Sequence, residues 1–277
     1  MRLCAQILDL QVRFAGTDEN PLEALARIRA GGRPRPCAGA SSSKGPSALS
    51  PQQRRRLSPL GRLAADALWA LPEEARSGAA WVFASRWGDI ESAMPEIERA
   101  ARGEDVSPTK FAVSVHNGIA AQLSIASSHR APSTAIAGGP FSLEAGFEAA
   151  VGLLSEHERA ALIVYDAKPP AAFGADGLAW AAALLLGPQL ESSDPAEFER
   201  LQALGPVAAL RTRPMRPGEA VDAAVDAPGG FPPALETLAW LLWDDALTLE
   251  HVGRHASHVW AKTARFAPHG APSGTAR

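Results

Sequence analysis

The stretch AIAGGPFSLEAGFEAAVGLL, residues 135–154, reads as a strand, a tight turn and a helix. Such a turn displays one backbone position at the end of a buried strand, where many enzymes hold a serine or cysteine nucleophile. Here the turn is Gly138-Gly139-Pro140, and the first hydroxyl, Ser142, comes two residues after the proline. A nucleophile elbow needs Gly-x-Ser-x-Gly, because small neighbours let the strained turn close. Around Ser142 the chain reads PFSLE, so Ser142 is expected to cap the helix, its hydroxyl accepting an unpaired N–H of the following turn.

Other reactive side chains are equally sparse. HVGRHASH spaces His251, His255 and His258 as zinc ligands on one helix face would be spaced, but Gly253 interrupts it and no acidic base lies inside it. The segment reads as turn and strand, with surface histidines. AGGP has too few glycines for a phosphate loop, and no G-x-G-x-x-G is present. No metal and no nucleotide cofactor is expected. Asp166 follows the apolar run ALIVY, at a strand end where sheets often present functional groups. It reads as a turn residue before Lys168-Pro169-Pro170, and Glu144 and Glu148, four apart on one helix, read as solvated.

The elements that would position these residues follow from periodicity. Residues 3–14 alternate as a strand, and NPLEALARIRAGG gives a short helix with a glycine stop. Residues 31–50, rich in Gly, Pro and Ser, predict a mobile surface loop, followed by Arg54-Arg55-Arg56 at a solvated helix start. A helix over 58–71, a doubly buried strand at 80–84 and a helix over 89–104 come next. A loop leads to a helix at 114–127; then follow a strand from Pro132, a helix from Ser142, the strand RAALIVYDA and a third strand in GLAWAAALLLG, whose alanines also permit helix. Beyond Gly187 the pattern predicts a helix at 194–204, a strand at 206–214, a helix at 232–247, a strand at 256–266 and a disordered tail at 267–277. Helices alternating with buried strands make this an α/β chain with a mixed sheet.

Composition narrows the function classes. A net charge of −3 argues against a surface for nucleic acid or acidic lipid. The longest apolar run, LAWAAALLLG, is about half of what a bilayer requires, so no membrane insertion is expected. MRLCAQILDLQVRF is no secretory signal, and two cysteines, Cys4 and Cys37, suit a reducing cytosol. A cytoplasmic protein is the expectation.

The middle of the chain resembles the N-terminal half of the β-ketoacyl synthases, the thiolase-like condensing enzymes. The resemblance rests on VFASRWGDIESAMPEIERAARGEDVSPTKFAVSVHNGIAAQLSIASSHRAPSTAIAGGPFSLEAGFEAA, residues 82–150. In that family a helix with an Asn signature, here His116-Asn117 in VHNGIAAQLSI, precedes a strand that ends at the catalytic Cys. SPTKFAVSVHNGIAAQLSI is the most specific piece, and it is similar to a short group from aryl polyene and xanthomonadin-type pathways. Members of that group are described as chain-length-factor-like partners of a true ketosynthase. The likeness also covers the helix at 58–71 and extends to about residue 187. Two departures matter. The nucleophile position is occupied by Gly139 or Pro140, and neither can attack a thioester. The two histidines of the family's C-terminal half have no counterpart in matching surroundings.

The resemblance implies a single thiolase-like domain over 1–266, with a ketosynthase-like core at about 58–187 and a divergent C-terminal extension. It implies a subunit that is not catalytic alone and that pairs with a catalytic ketosynthase as a heterodimer, serving an acyl carrier protein. The strand Pro132, Ser133, Thr134, Ala135, Ile136 and Ala137 would pair across the two-fold axis. Residues Phe111, Val113, Val115 and Ile119, with Phe141 near the elbow, would limit how far an acyl chain extends in the partner's tunnel. Two other readings stay open: an independent acyl-thioester hydrolase or decarboxylase using Ser142, Asp166 or a histidine, and a homodimeric scaffold that binds carrier protein through Arg54–Arg56, Arg86 or Arg102.

Overall fold

A computed structural model of the chain describes residues 3–37, 43–168, 177–189, 206–215, 219–221 and 232–266. The helix expected at 194–204 and the tail at 267–277 lie outside the described residues. The strands in chain order are β1 (Leu3–Phe14), β2 (Ala80–Ala84), β3 (Ser133–Ile136), β4 (Ala160–Asp166), β5 (Trp180–Gln189), β6 (Val207–Pro214), β7 (Thr248–Val252) and β8 (Ala256–Lys262). The helices are α1 (Pro21–Arg29), α2 (Pro51–Arg56), α3 (Pro59–Trp69), α4 (Glu73–Ser77), α5 (Ile90–Ala101), α6 (Pro108–Ser114), α7 (Gly118–Ser127), α8 (Ser142–Leu153) and α9 (Pro233–Trp243). A single 3₁₀ turn, Gly139–Phe141, links β3 to α8.

Among the described residues the strands form one eight-stranded sheet in the order β3-β2-β4-β5-β1-β6-β8-β7. Strands β3, β2 and β4 run parallel, and every other neighbouring pair is antiparallel. This is the expected mixed α/β sheet. The central strands read as unbroken apolar runs because both of their faces are covered. Along β2, Trp81 and Phe83 face the layer of α3 and α7, whereas Val82 and Ala84 face α8. Strands β4 and β5 repeat the alternation, so Ile163 and Tyr165 lie on the first face and Leu162 and Val164 on the second. GLAWAAALLLG is strand because its two neighbours, β4 and β1, supply backbone partners along its length.

Three boundaries differ from the periodicity. The helix expected at 114–127 begins only at Gly118, and the loop expected before it holds a separate helix, α6; between them Val115 is extended (ψ 153) and Gly118 lies so close to the Val113 carbonyl that a Cβ there would sit 2.3 Å from its oxygen. The helix expected to reach residue 247 stops at Trp243, where Lys262 Nζ donates to the carbonyls of Trp240 and Asp244. Residues 244–247 are neither helix nor strand and lead into β7, which forms a hairpin with β8. The short helix α4 follows Pro72, which ends the chain's previous direction and starts a new helix.

Helix α8 reaches β2 and β4 through Gly146. A Cβ there would stand 2.7 Å from Leu162 Cδ1 and 2.8 Å from Ala84 Cβ. Beside it Phe147 is fully buried, a contribution of about 1.5–3 kcal/mol. A Gly146→Val substitution is expected to force the helix off the sheet and to cost about 1–3 kcal/mol, read as a lower midpoint in denaturant with an unchanged slope.

Candidate functional site: the strand-end edge and the pocket beside the elbow

Because β2, β3 and β4 are parallel, their C-terminal ends meet at one edge of the sheet, where α/β folds place their sites. Three segments leave that edge. After β2 comes the Ser85–Gly88 turn, after β3 the elbow at Ala137–Phe141, and β4 closes with Asp166. Asp166 Oδ1 accepts from Ser85 Oγ at 2.8 Å, from Arg86 N at 2.8 Å and from Trp87 N at 3.2 Å. Burial pushes its pKa up to about 6, while those donors and the Arg86 charge pull it down. It is therefore an anion at neutral pH that braces the neighbouring strand's turn, not a residue of its own turn. The sequence could not show this, since Ser85 lies 81 residues away. The same turn needs Gly88, with φ +60 and a Cβ position only 2.9 Å from His116 Nδ1. His116 Nε2 in turn sits 3.0 Å from the Ile136 carbonyl, which ties the α6–α7 connection to the end of β3. Asn117 is the N-terminal flanking residue of α7, and its side chain makes no capping bond.

The elbow itself is built from glycine. A Cβ on Gly138 would lie 2.7 Å from the Phe141 carbonyl oxygen and 2.8 Å from Ala145 Cβ. Gly139 adopts φ +59, with open space where a side chain would start. Ser142 is the first residue of α8 and does not cap it. Its Oγ accepts from Gly138 N at 3.1 Å and donates to the Gly139 carbonyl at 2.8 Å. The hydroxyl thus closes the elbow from behind, is 3% exposed, and has its proton already committed.

Beside the elbow is a cavity of about 360 Å³, lined by Gly138, Pro140, Phe141, Ala145 and Glu148 on one side and Arg254, His255, Ala256 and His258 on the other. The Phe141 ring rests against His258 at 4.6 Å between centroids and presses on Gly253, whose Cβ position is 2.3 Å from Phe141 Cε2. Thr212 Oγ1 donates its proton to Glu148 at 2.6 Å, so at the 3.1 Å contact with His258 it accepts from Nδ1–H. Burial lowers the His258 pKa, and the Glu148 charge opposes this. The late histidines do not form the expected exposed set. His251 lies opposite His258 across the β7–β8 hairpin, is 1% exposed, and places Nε2 3.0 Å from Thr237 Oγ1; of the three, only His255 is exposed. Among the described residues no group of three or more His, Cys, Asp or Glu is arranged to hold a metal ion.

Glu144, read from sequence as solvated, is fully buried. Its Oε1 accepts from Trp260 Nε1 at 3.0 Å, and its Oε2 meets no hydrogen-bond partner. Burial, with Glu148 one helical turn away, pushes its pKa up to about 7. The helix period alone left this face open, because the strand that covers it, β8, comes 116 residues later.

The residues proposed to limit chain length do not converge within this chain. Phe111 is 60% exposed and Val115 39%, Val113 is half-buried, and Ile119 is a core residue beneath α3. Phe141 faces the β7–β8 hairpin instead. Among the described residues β3 pairs only with β2, so it is an edge strand. Pro132 and Ala137 flank it, and the Pro132 carbonyl accepts from Trp81 N at 2.8 Å. Between β3 and α7 runs a hollow of about 570 Å³, lined by His116, Asn117, Ala120, Ala121, Ser124 and Ser133–Ala135.

The sequence pattern of the family described as beta-ketoacyl synthase, N-terminal domain, matches residues 33–260. The chain belongs to that family. The match passes well beyond residue 187, so the C-terminal hairpin lies within the family pattern. The fold is that of known thiolase-like ketosynthase structures. A chain from the ketosynthase (ApeO) in complex with its chain length factor (ApeC) from Xenorhabdus doucetiae is 23% identical with TM-score 0.66, over 94% of this chain and 99% of that one. A chain of the ishigamide ketosynthase/chain length factor is 14% identical with TM-score 0.62, over 93% and 98%. A beta-ketoacyl synthase from Burkholderia phymatum is 12% identical with TM-score 0.50, over 77% of this chain and 65% of its own length. No curated protein matches the chain in sequence.

In this ketosynthase-family fold Glu144 makes stability depend on pH. Its folded pKa of about 7 exceeds the unfolded value of about 4.3. Between those values the unfolded chain has released a proton that the folded chain keeps, so stability falls as pH rises through that window. Glu144→Gln is expected to unfold like the wild type at about pH 4 and to be more stable by about 3 kcal/mol at about pH 8. Denaturant titrations at the two pH values measure the difference.

Proposed function

We propose that this chain is a non-catalytic ketosynthase-like subunit, a chain length factor, that pairs with a catalytic ketosynthase and helps shape its acyl tunnel in polyketide or fatty-acid-type synthesis such as that of aryl polyenes. The observation that carries the reading is the combination of an elbow with no nucleophile at Gly139 or Pro140 and a fold that spans 99% and 98% of two structural neighbours. The two neighbours covered over almost their whole length come from ketosynthase/chain length factor complexes, whereas the Burkholderia ketosynthase is covered over only 65%.

Surface chemistry supports the pairing. The open edge of β3 leaves backbone groups for a partner strand, and Ser133–Ala137 would supply it. Phe111, Val115 and Ile125 are large apolar side chains left 60%, 39% and 76% exposed, as a face covered in an assembly would be. Phe111 and Val115 would then meet the partner's tunnel, with Val113 and Ile119 behind them, whereas Phe141 packs on the β7–β8 hairpin. An acidic acyl carrier protein would be attracted by Lys44, Arg54, Arg55 and Arg62, which line a separate hollow, with Arg54 and Arg62 also donating to backbone carbonyls. No described helix is long and apolar enough to cross a membrane, and the reading implies work in the cytoplasm. Hydrolysis by Ser142 is disfavoured by its burial and its two hydrogen bonds.

Co-expressed with a ketosynthase that carries Cys and both histidines, the chain is expected to co-elute as a one-to-one complex; a clean monomer or a homodimer beside free ketosynthase would reject the pairing. In the reconstituted complex Phe111→Ala is expected to lengthen the products. Unchanged product lengths, measured by mass spectrometry, would remove Phe111 from the tunnel.

A further inference from the structure

At the opposite end of the parallel strands from the elbow lies a cavity of about 640 Å³. It opens where α3 and α7 end and β2 begins, and its lining includes Trp69, Glu73, Arg76, Trp81, His129 and Arg130. It shares no lining residue with the elbow pocket, the β3–α7 hollow or the basic hollow. We propose that this cavity binds a free α-amino acid with an aromatic side chain, its carboxylate on Arg76 and Arg130 and its ammonium on Glu73.

The aromatic part of the site is preassembled. His129 stacks on Trp81 with 3.6 Å between ring centroids and 8° between planes. Trp69 meets Trp81 edge-on at 6.4 Å, and Trp81 Nε1 donates to the Arg76 carbonyl at 3.0 Å. Trp81 is buried and forms the floor, while Trp69 and His129 are half-buried and leave ring surface for a ligand. Burial lowers the His129 pKa, so this ring is neutral at neutral pH and adds no charge. Such a surface favours a further ring, stacked or edge-on. The volume lies within the range of small-molecule sites.

The charged part holds both signs. Glu73 and Arg76 stand one helical turn apart on α4. The Arg76 guanidinium lies 5.0 Å over the Trp69 ring, and its Nη1 donates to the carbonyls of Leu71 at 3.3 Å and Trp69 at 3.5 Å. The fork is thus held in place, and among the described residues its Nε and Nη2 are left to grip a carboxylate. Burial lowers the Arg76 pKa while Glu73 and Glu74 oppose this, and a guanidinium stays charged throughout. Arg130 adds a second cation from the segment that leads into β3. The carbonyl end of α7 also reaches the cavity and favours an ammonium. A lone anion would therefore meet Glu73, and a lone cation would meet Arg76 and Arg130. Opposite charges on neighbouring atoms of one ligand, next to a ring, suit every charged side chain of the lining.

The test uses the purified chain with no partner, so its result does not depend on pairing with a ketosynthase. Equilibrium dialysis follows radiolabelled L-phenylalanine, in competition with 3-phenylpropanoate, which lacks the ammonium, and 2-phenylethylamine, which lacks the carboxylate. One site per chain is expected, with each analogue weaker by about tenfold or more. Arg76→Gln and Gly78→Leu are each expected to lose about tenfold in affinity as well. Gly78 lines the cavity at φ −96, with no atom beyond its chain neighbours within 4 Å of its Cβ position, so a leucine there suits the backbone and fills space. Circular dichroism identifies the folded variants. Absence of saturable L-phenylalanine binding to the wild type overturns the assignment. Equal affinity for either analogue also overturns it, because the site would then read one charge alone. So does unchanged affinity in a folded Gly78→Leu variant.

Discussion

The close contact of α8 with β2 and β4 is what the rest of this structure depends on. At Gly146 there is no room for a single methyl group between helix and sheet. That contact fixes the height of the helix, and the helix fixes the elbow, because Ser142 at its first position holds both Gly138 and Gly139. The parallel strands on either side fix the floor, and Asp166 locks the turn after β2 to the end of β4. The shape of the elbow is thus set by packing and by the hydrogen bonds of the Ser142 and Asp166 side chains. None of those bonds involves a side chain at Gly139 or Pro140.

This separation of scaffold from chemistry gives the proposed role its physical basis. A subunit that walls another's tunnel needs a rigid strand edge and a fixed helix–turn connection, and both survive here. His116 is the link between them, since it reaches the last carbonyl of β3 while its own loop leads into α7. Edge strand, loop and helix therefore present one surface. The buried acid Glu144 works against stability at neutral and higher pH, with one donor for its two oxygens. It sits where the C-terminal hairpin meets α8, a junction that the family pattern, ending at residue 260, includes.

Much of the fold was legible because the central strands are covered on both faces and so read as short apolar runs. Residues 80–84 and 160–166 could be little else, and the turn before Ser142 announces itself by two glycines and a proline. What escaped was set by distant contacts. The helix α6 occupies the stretch that reads as a loop before α7, with the Val113 carbonyl packed over Gly118, and Lys262 ends α9 from across the hairpin. Glu144, Asp166 and Ser142 were each assigned a local, ordinary role. Their partners are Trp260, Ser85 and the glycines behind the elbow, so burial and not spacing decides what they do. That neither Gly139 nor Pro140 carries a nucleophilic side chain, in contrast, is a matter of residue type alone.

The central claim is that acyl groups pass this chain without being bonded to it. Intact-mass spectrometry of the complex, formed with a catalytic ketosynthase and charged with an acyl carrier protein donor, tests it most directly. The account predicts an acyl increment on the ketosynthase and none on this chain. An increment on this chain that appears and decays with turnover would contradict it.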